Sequence, residues 1–161
     1  MEAMSTSLTL QELTRQIRRD TLSLLDAAEP EWLTYTPPGT SNHILWHAGH
    51  ILWLLDVLCI QLLNPDGGEL PDNWDERFGM NCASPASRKE WPSINELKDL
   101  LHAQLYFVLD LLEDADEEVA EVADSSKGPA TIEARIIHAL HDEAKHSGEI
   151  YLLMKLCRNR K

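Results

Sequence analysis

The stretch Ile44–Leu63 reads ILWHAGHILWLLDVLCIQLL. It is apolar almost all the way round a helical wheel, which marks the most buried helix of a bundle. Its length would also suit a bilayer span, but His47, His50, Asp56 and Gln61 would each be costly at bilayer depth. A helix buried in a protein core accommodates all four, and it is predicted to run from about Ser41 to about Leu63. No membrane partner is expected.

Three further helices flank this one. The first is predicted from about Leu10 to Ala27, where Thr9 and Glu12 have capping-box spacing. Leu10, Leu13, Ile17 and Leu24 recur on one of its faces, and Pro30, Pro37, Pro38 and Gly39 end it. A second capping box, Ser93 with Glu96, opens the third helix, whose face continues through Leu97, Leu101, Leu105, Val108 and Leu112. The last helix follows Gly128–Pro129, with Thr131 as its N-cap, and runs to about Leu156. Four amphipathic segments without a convincing strand predict an all-α fold, a four-helix bundle spanning residues 1–161 as a single domain. The connection Asn64–Pro92 between the second and third helices is unusually long for a compact domain. Its Leu70, Trp74, Phe78, Met80 and Trp91 predict that it packs on the bundle, either as a lid over a site or as a structural crossover. The acidic stretch Glu113–Glu121 reads as a solvated helix end and loop.

Composition narrows the function classes. With 43% hydrophobic and 25% charged residues, the chain of 161 can bury a core without disulfides. Cys59, Cys82 and Cys157 are scattered and show no CxxC spacing, which suits a reducing compartment. The first residues, MEAMSTSLTLQEL, carry no basic flank followed by an apolar run, so no signal peptide is expected and a cytoplasmic location is. Acidic residues outnumber basic ones 27 to 14, for a net charge of −13, a surface that repels phosphate backbones and anionic lipid. No nucleic-acid partner is expected.

The histidines carry the chemistry. At 100° per residue, Asp142 and His146 project only about 40° apart, and the stripe of Ile132, Ala139, Ile150 and Leu153 brackets that direction, so both are expected to face the core. His141 falls about 140° from His146 and is expected to be exposed, while His138 lies near the stripe edge. On the second helix His43, His47 and His50 share a wedge of about 80°, with His50 placed for the bundle centre and His43 near the mouth. A buried carboxylate and two imidazoles need partners. One solution is a divalent metal held by His50, Asp142 and His146, with positions left for water or substrate. The other is a hydrogen-bonded His–Asp–His cluster without metal. Cys59, on the same buried helix, reads as a small hydrophobe rather than a nucleophile.

These residues resemble the DinB/YfiT-like family of small bacterial four-helix metalloproteins. Trp46-His47-Ala48-Gly49-His50 matches that family's W-x-x-x-H pattern and puts His50 at the ligand position. The stretch Asp142-Glu143-Ala144-Lys145-His146-Ser147-Gly148 is similar to its H-x-x-x-H pattern with a Gly-containing tail, so His146 matches the last ligand. Asp142 stands where many members have histidine, and some have a carboxylate. The resemblance implies a DinB-like four-helix bundle, a metal centre with zinc or nickel, or else iron, and a homodimer.

It also implies a range of activities, among them transferases that act with a low-molecular-weight thiol. The leading expectation is therefore a metal-dependent transferase that activates such a thiol, with Glu143 or His47 handling protons. The alternatives are an iron-dependent oxygen-using enzyme, suited to two histidines and one carboxylate, and a non-catalytic metal-binding stress-response protein. Three protein ligands favour an enzyme, because structural zinc is usually closed by four.

Overall fold

Helices arise where the sequence expects them, with informative shifts at their ends. The computed structural model describes residues 6–61, 70–87, 90–114 and 132–160. Helix α1 spans Thr6–Ala27, α2 Ile44–Leu55, α3 Trp74–Phe78, α4 Ile94–Asp114 and α5 Ile132–Arg158, with no strand among the described residues. Both α1 and α2 pack against α4 and α5, so the two pairs alternate around the bundle axis. No helix in the described residues is long and apolar enough to cross a membrane.

Local chemistry accounts for the boundaries. The Ser93 hydroxyl accepts from the Glu96 N–H at 3.2 Å, and the Ser93 N–H donates to Glu96 Oε2 at 2.7 Å, the reciprocal capping box expected. The Thr9–Glu12 spacing does not begin α1, which starts a turn earlier at Thr6. That extra turn is tied down by the Ser7 hydroxyl, which donates to the Leu112 carbonyl of α4 at 2.6 Å. Before α2, the Thr40 N–H donates to the Pro37 carbonyl at 3.0 Å, and Gly39 has φ +85°. Pro38 and Gly39 thus occupy the central positions of a type II turn, the second of which requires positive φ.

Helix α2 begins at Ile44, after the predicted Ser41, and its predicted end at Leu63 lies outside the described residues. It is capped at its start by His43 and passes into a π-helical turn over Asp56–Ile60. The wider turn absorbs one extra residue and still delivers Cys59 and Ile60 to the core. Thr131, the expected cap of α5, lies outside the described residues, as do residues 64–69, 88 and 89 of the long connection and all but Glu113 and Asp114 of the acidic stretch. The described part of the connection holds α3 and a 3-10 turn at Pro85–Ser87, and its Trp74 and Phe78 are buried.

The bundle interior is layered. One apolar cluster gathers Leu22, Leu25, Ile44, Ile51, Leu97, Leu101, Ile150 and Leu153 with Trp74 and Phe78 of α3. A second, toward the other end of the bundle, gathers Leu10, Leu55, Cys59, Ile60, Val108, Leu112, Ile136 and Leu140. Between them sits a polar layer. Arg18 Nε donates to Glu143 Oε1 at 2.8 Å, Arg18 NH2 to Glu143 Oε2 at 3.0 Å, and Arg18 NH1 to the Leu101 carbonyl at 2.6 Å. Gln104 accepts from Arg18 and donates to the Leu52 carbonyl, so all four long helices are tied through one guanidinium.

Candidate metal centre

Helix α5 buries its sequence stripe, with Ala139, Ile150 and Leu153 all at 3% exposure or less, but its buried face is wider than the stripe and centred further round the helix. The residue at the centre of its buried face is Glu143, 2% exposed, in line with Ile136, Leu140, Ser147 and Ile150. Asp142 is one residue back, about 100° round the helix, and His146 is about 60° round. Both therefore stand on the flank of α5, with side chains 21% and 20% exposed, facing the seam with α2. His141 points outward, its side chain 67% exposed, as its angle requires.

At that seam His47 and His146 meet. Their Nδ1 atoms lie 3.0 Å apart, and Glu149 Oε2 is 2.7 Å from His146 Nδ1 and 3.2 Å from His47 Nδ1. His47 is buried, His146 half-buried and Glu149 open to solvent, which makes a three-donor cluster with one exposed side. The His50 ring stands edge-on to His146 with centroids 4.7 Å apart. His50 is itself buried, lying between the indoles of Trp46 at 4.6 Å and Trp53 at 5.3 Å, with both rings close to parallel to it. Its Nδ1 contacts the Phe78 carbonyl. A carbonyl can only accept, so the proton is on Nδ1 and Nε2 carries the lone pair.

Asp142 shares its carboxylate between Lys145 Nζ at 3.0 Å and His138 Nε2 at 3.1 Å, and lies near enough to His50 to favour that ring's charged form. Glu143 is turned away from the histidines, with one oxygen held by Arg18 Nε and Thr21 and the other by Arg18 NH2. His43 is not at a mouth. It is the N-cap of α2, its Nδ1 accepting from the Trp46 N–H at 3.1 Å, and its ring packs edge-to-face on Trp91 at 4.2 Å. Glu149 escaped the sequence reading, although its place one turn after His146 puts the two side chains on one face.

Burial dominates the electrostatics. It pushes His47 down to about 3, helped by the neighbouring His146, His50 and His43, and it lowers His50 as well. Both rings are therefore neutral at physiological pH, the state in which an imidazole can ligate. Three atoms converging on one point then face each other with too few protons to go round. His146 Nδ1–H satisfies at most part of the triangle formed with His47 and the carboxylate. A small cation would satisfy all three at once. With zinc–nitrogen bonds of about 2.0–2.1 Å, neighbouring donors are roughly 3.0–3.4 Å apart, and the observed separations of 2.7, 3.0 and 3.2 Å are within a few tenths of that. The residues fit a divalent ion.

A family model described as the DinB superfamily matches residues 13–150. The chain belongs to the DinB superfamily. The match runs from α1 into α5 and includes His47, His50, Asp142, His146 and Glu149. Among solved structures, the chain is similar to one described as the crystal structure of the conserved protein of locus from Enterococcus faecalis, with a TM-score of 0.69 and 20% identity over 98% of this chain and 100% of that one. At that identity the likeness establishes the fold alone. No curated protein matches this chain.

Proposed function

We propose that this DinB-superfamily chain binds a divalent cation at the α2–α5 seam and works as a transferase acting with a low-molecular-weight thiol. The observation that carries the metal part is the convergence of His47 Nδ1, His146 Nδ1 and Glu149 Oε2. His50, with its lone pair on Nε2 beside His146, is a further imidazole within reach, and Asp142 is the more distant carboxylate named by the family pattern. Bound there, a divalent cation would lower the pKa of a thiol and favour the nucleophilic thiolate.

The chain's own groups divide the remaining work. Two imidazoles and one carboxylate do not close a coordination shell, which leaves room for a substrate atom. His47, held neutral by burial, offers a lone pair and is a weak base at neutral pH. Glu143 is occupied by Arg18 and Thr21. Glu149, at the exposed side of the cluster, is the carboxylate positioned to take the thiol proton at an oxygen. Two imidazoles with one carboxylate also form the donor set of many non-haem iron proteins, so the identity of the ion separates the transferase from an iron-dependent, oxygen-using reading.

Elemental analysis of protein purified without an affinity tag, followed by zinc, nickel and iron(II) titrations, tests the reading. About one equivalent is expected in the parent, with at least about a tenfold loss of affinity in His146→Ala and Glu149→Ala, since each removes one donor. A parent that takes up no divalent ion overturns the metal reading. A metal-loaded protein that transfers no small thiol to any electrophile in a panel leaves a metal binder and removes the transferase.

A further inference from the structure

The bundle supplies the histidines, but the contacts that orient His50 come from the connection between α2 and α4. Three of them converge on it. The Phe78 carbonyl accepts from His50 Nδ1. The Trp46 indole N–H donates to Cys82 Sγ at 3.3 Å, and the Trp53 indole N–H donates to Asp75 Oδ1 at 2.6 Å. Trp46 and Trp53 are the two rings stacked on the faces of His50. Residues of the 75–82 segment thus hold the edge of the imidazole and both plates that sandwich it.

The docking of that segment depends on Gly49, the neighbour of His50. A Cβ at residue 49 would stand 2.2 Å from the Phe78 ring, closer than any side chain can approach. Trp74 also docks there, its indole N–H donating to the Gly49 carbonyl at 3.0 Å. Phe78 is wholly buried in this position and Trp74 nearly so. Glycine in a helix interior is normally unfavourable, and its presence here is explained by the aromatic ring that takes the place of a side chain.

We propose that α3 and the turn after it are a positioning element for His50, which sets its tautomer and ring plane and so aims Nε2 at the seam. Gly49, Asp75 and Phe78 are positioning residues in this scheme; none of them is a donor to the cation. An imidazole that ligates through one nitrogen is commonly held by a hydrogen bond from the other to a carbonyl or carboxylate, and the Phe78 carbonyl has that place. The consequence for metal affinity rests on the proposed metal site, whereas the tautomer does not.

Two measurements on the full chain separate the two. Long-range proton–nitrogen NMR correlation on metal-free protein, at one pH above the histidine range, reports which nitrogen of His50 carries the proton. The parent and Asp75→Ala are expected to show the Nδ1–H form, and Gly49→Ala to shift toward Nε2–H as the Phe78 carbonyl is displaced. Zinc titration is then expected to show about a tenfold loss for Gly49→Ala and a smaller, severalfold loss for Asp75→Ala. Asp75 is exposed, so Asp75→Ala keeps the fold even if the buried Gly49→Ala change does not. A parent with the proton on Nε2, or an unchanged tautomer in a folded Gly49→Ala, overturns the proposal. So does Asp75→Ala with parental zinc affinity. If the parent binds no zinc, the metal reading fails and the tautomer comparison alone decides the positioning.

Discussion

Arg18 and Glu143, one on the first helix and one on the last, form a bidentate ion pair in the middle of the bundle, each 2% exposed. Two charges taken out of water are tolerated here because the guanidinium also donates to the Leu101 carbonyl and to Gln104, and the carboxylate also accepts from Thr21. Removing one partner leaves the other charge buried and unpaired. Arg18→Ala is therefore expected to lose roughly 3–5 kcal/mol in urea unfolding. The double variant Arg18→Met with Glu143→Leu should recover much of that loss, since no charge remains to be desolvated. A loss below about 1 kcal/mol in the single variant would show that water reaches the pair.

A second expectation concerns acid. Burial pushes His43 from 6.5 down to about 4. The unfolded chain then binds more protons at this position than the folded chain does between those two values, so the contribution of this residue to stability is complete above about pH 6.5 and is lost as pH drops toward about 4. His43→Asn keeps a cap acceptor for the Trp46 N–H and removes the titrating group. Its unfolding free energy should vary less steeply with pH across that window than the parent's. Parallel pH profiles for the two proteins would refute this.

The third concerns the two carboxylates of α5. Glu149 touches both His47 and His146, whereas Asp142 is engaged by Lys145 and His138. Asp142→Ala is accordingly expected to reduce divalent-ion affinity less than Glu149→Ala does. Asp142→His is expected to keep the fold and to bind zinc or nickel at least as well as the parent, because imidazole is the softer ligand. Side-by-side calorimetric titrations decide the matter. A complete loss in Asp142→Ala with little change in Glu149→Ala would restore His50, Asp142 and His146 as the ligand set.

Much of this protein is determined by its sequence alone, because the relevant forces act over a turn or two of chain. The capping box of Ser93 and Glu96, the Pro38–Gly39 turn, the buried character of α2 and the outward direction of His141 all follow from side chains within a few positions of each other. Helical angles and the family pattern alike single out His50 and His146, which do meet across the α2–α5 seam. The tertiary structure alone decided how α5 is turned about its axis. That rotation is set by Glu143, whose partner Arg18 lies 125 residues away and has no signature in the local periodicity. Once Glu143 takes the interior, Asp142 is carried to the flank, His146 is brought against His47, and Glu149 joins them. The same holds for His50, whose tautomer follows from a backbone carbonyl 28 residues away. Short-range hydrogen bonds and periodicity make helices, but a buried charge must find its partner in space, and that search orients the faces that carry the site.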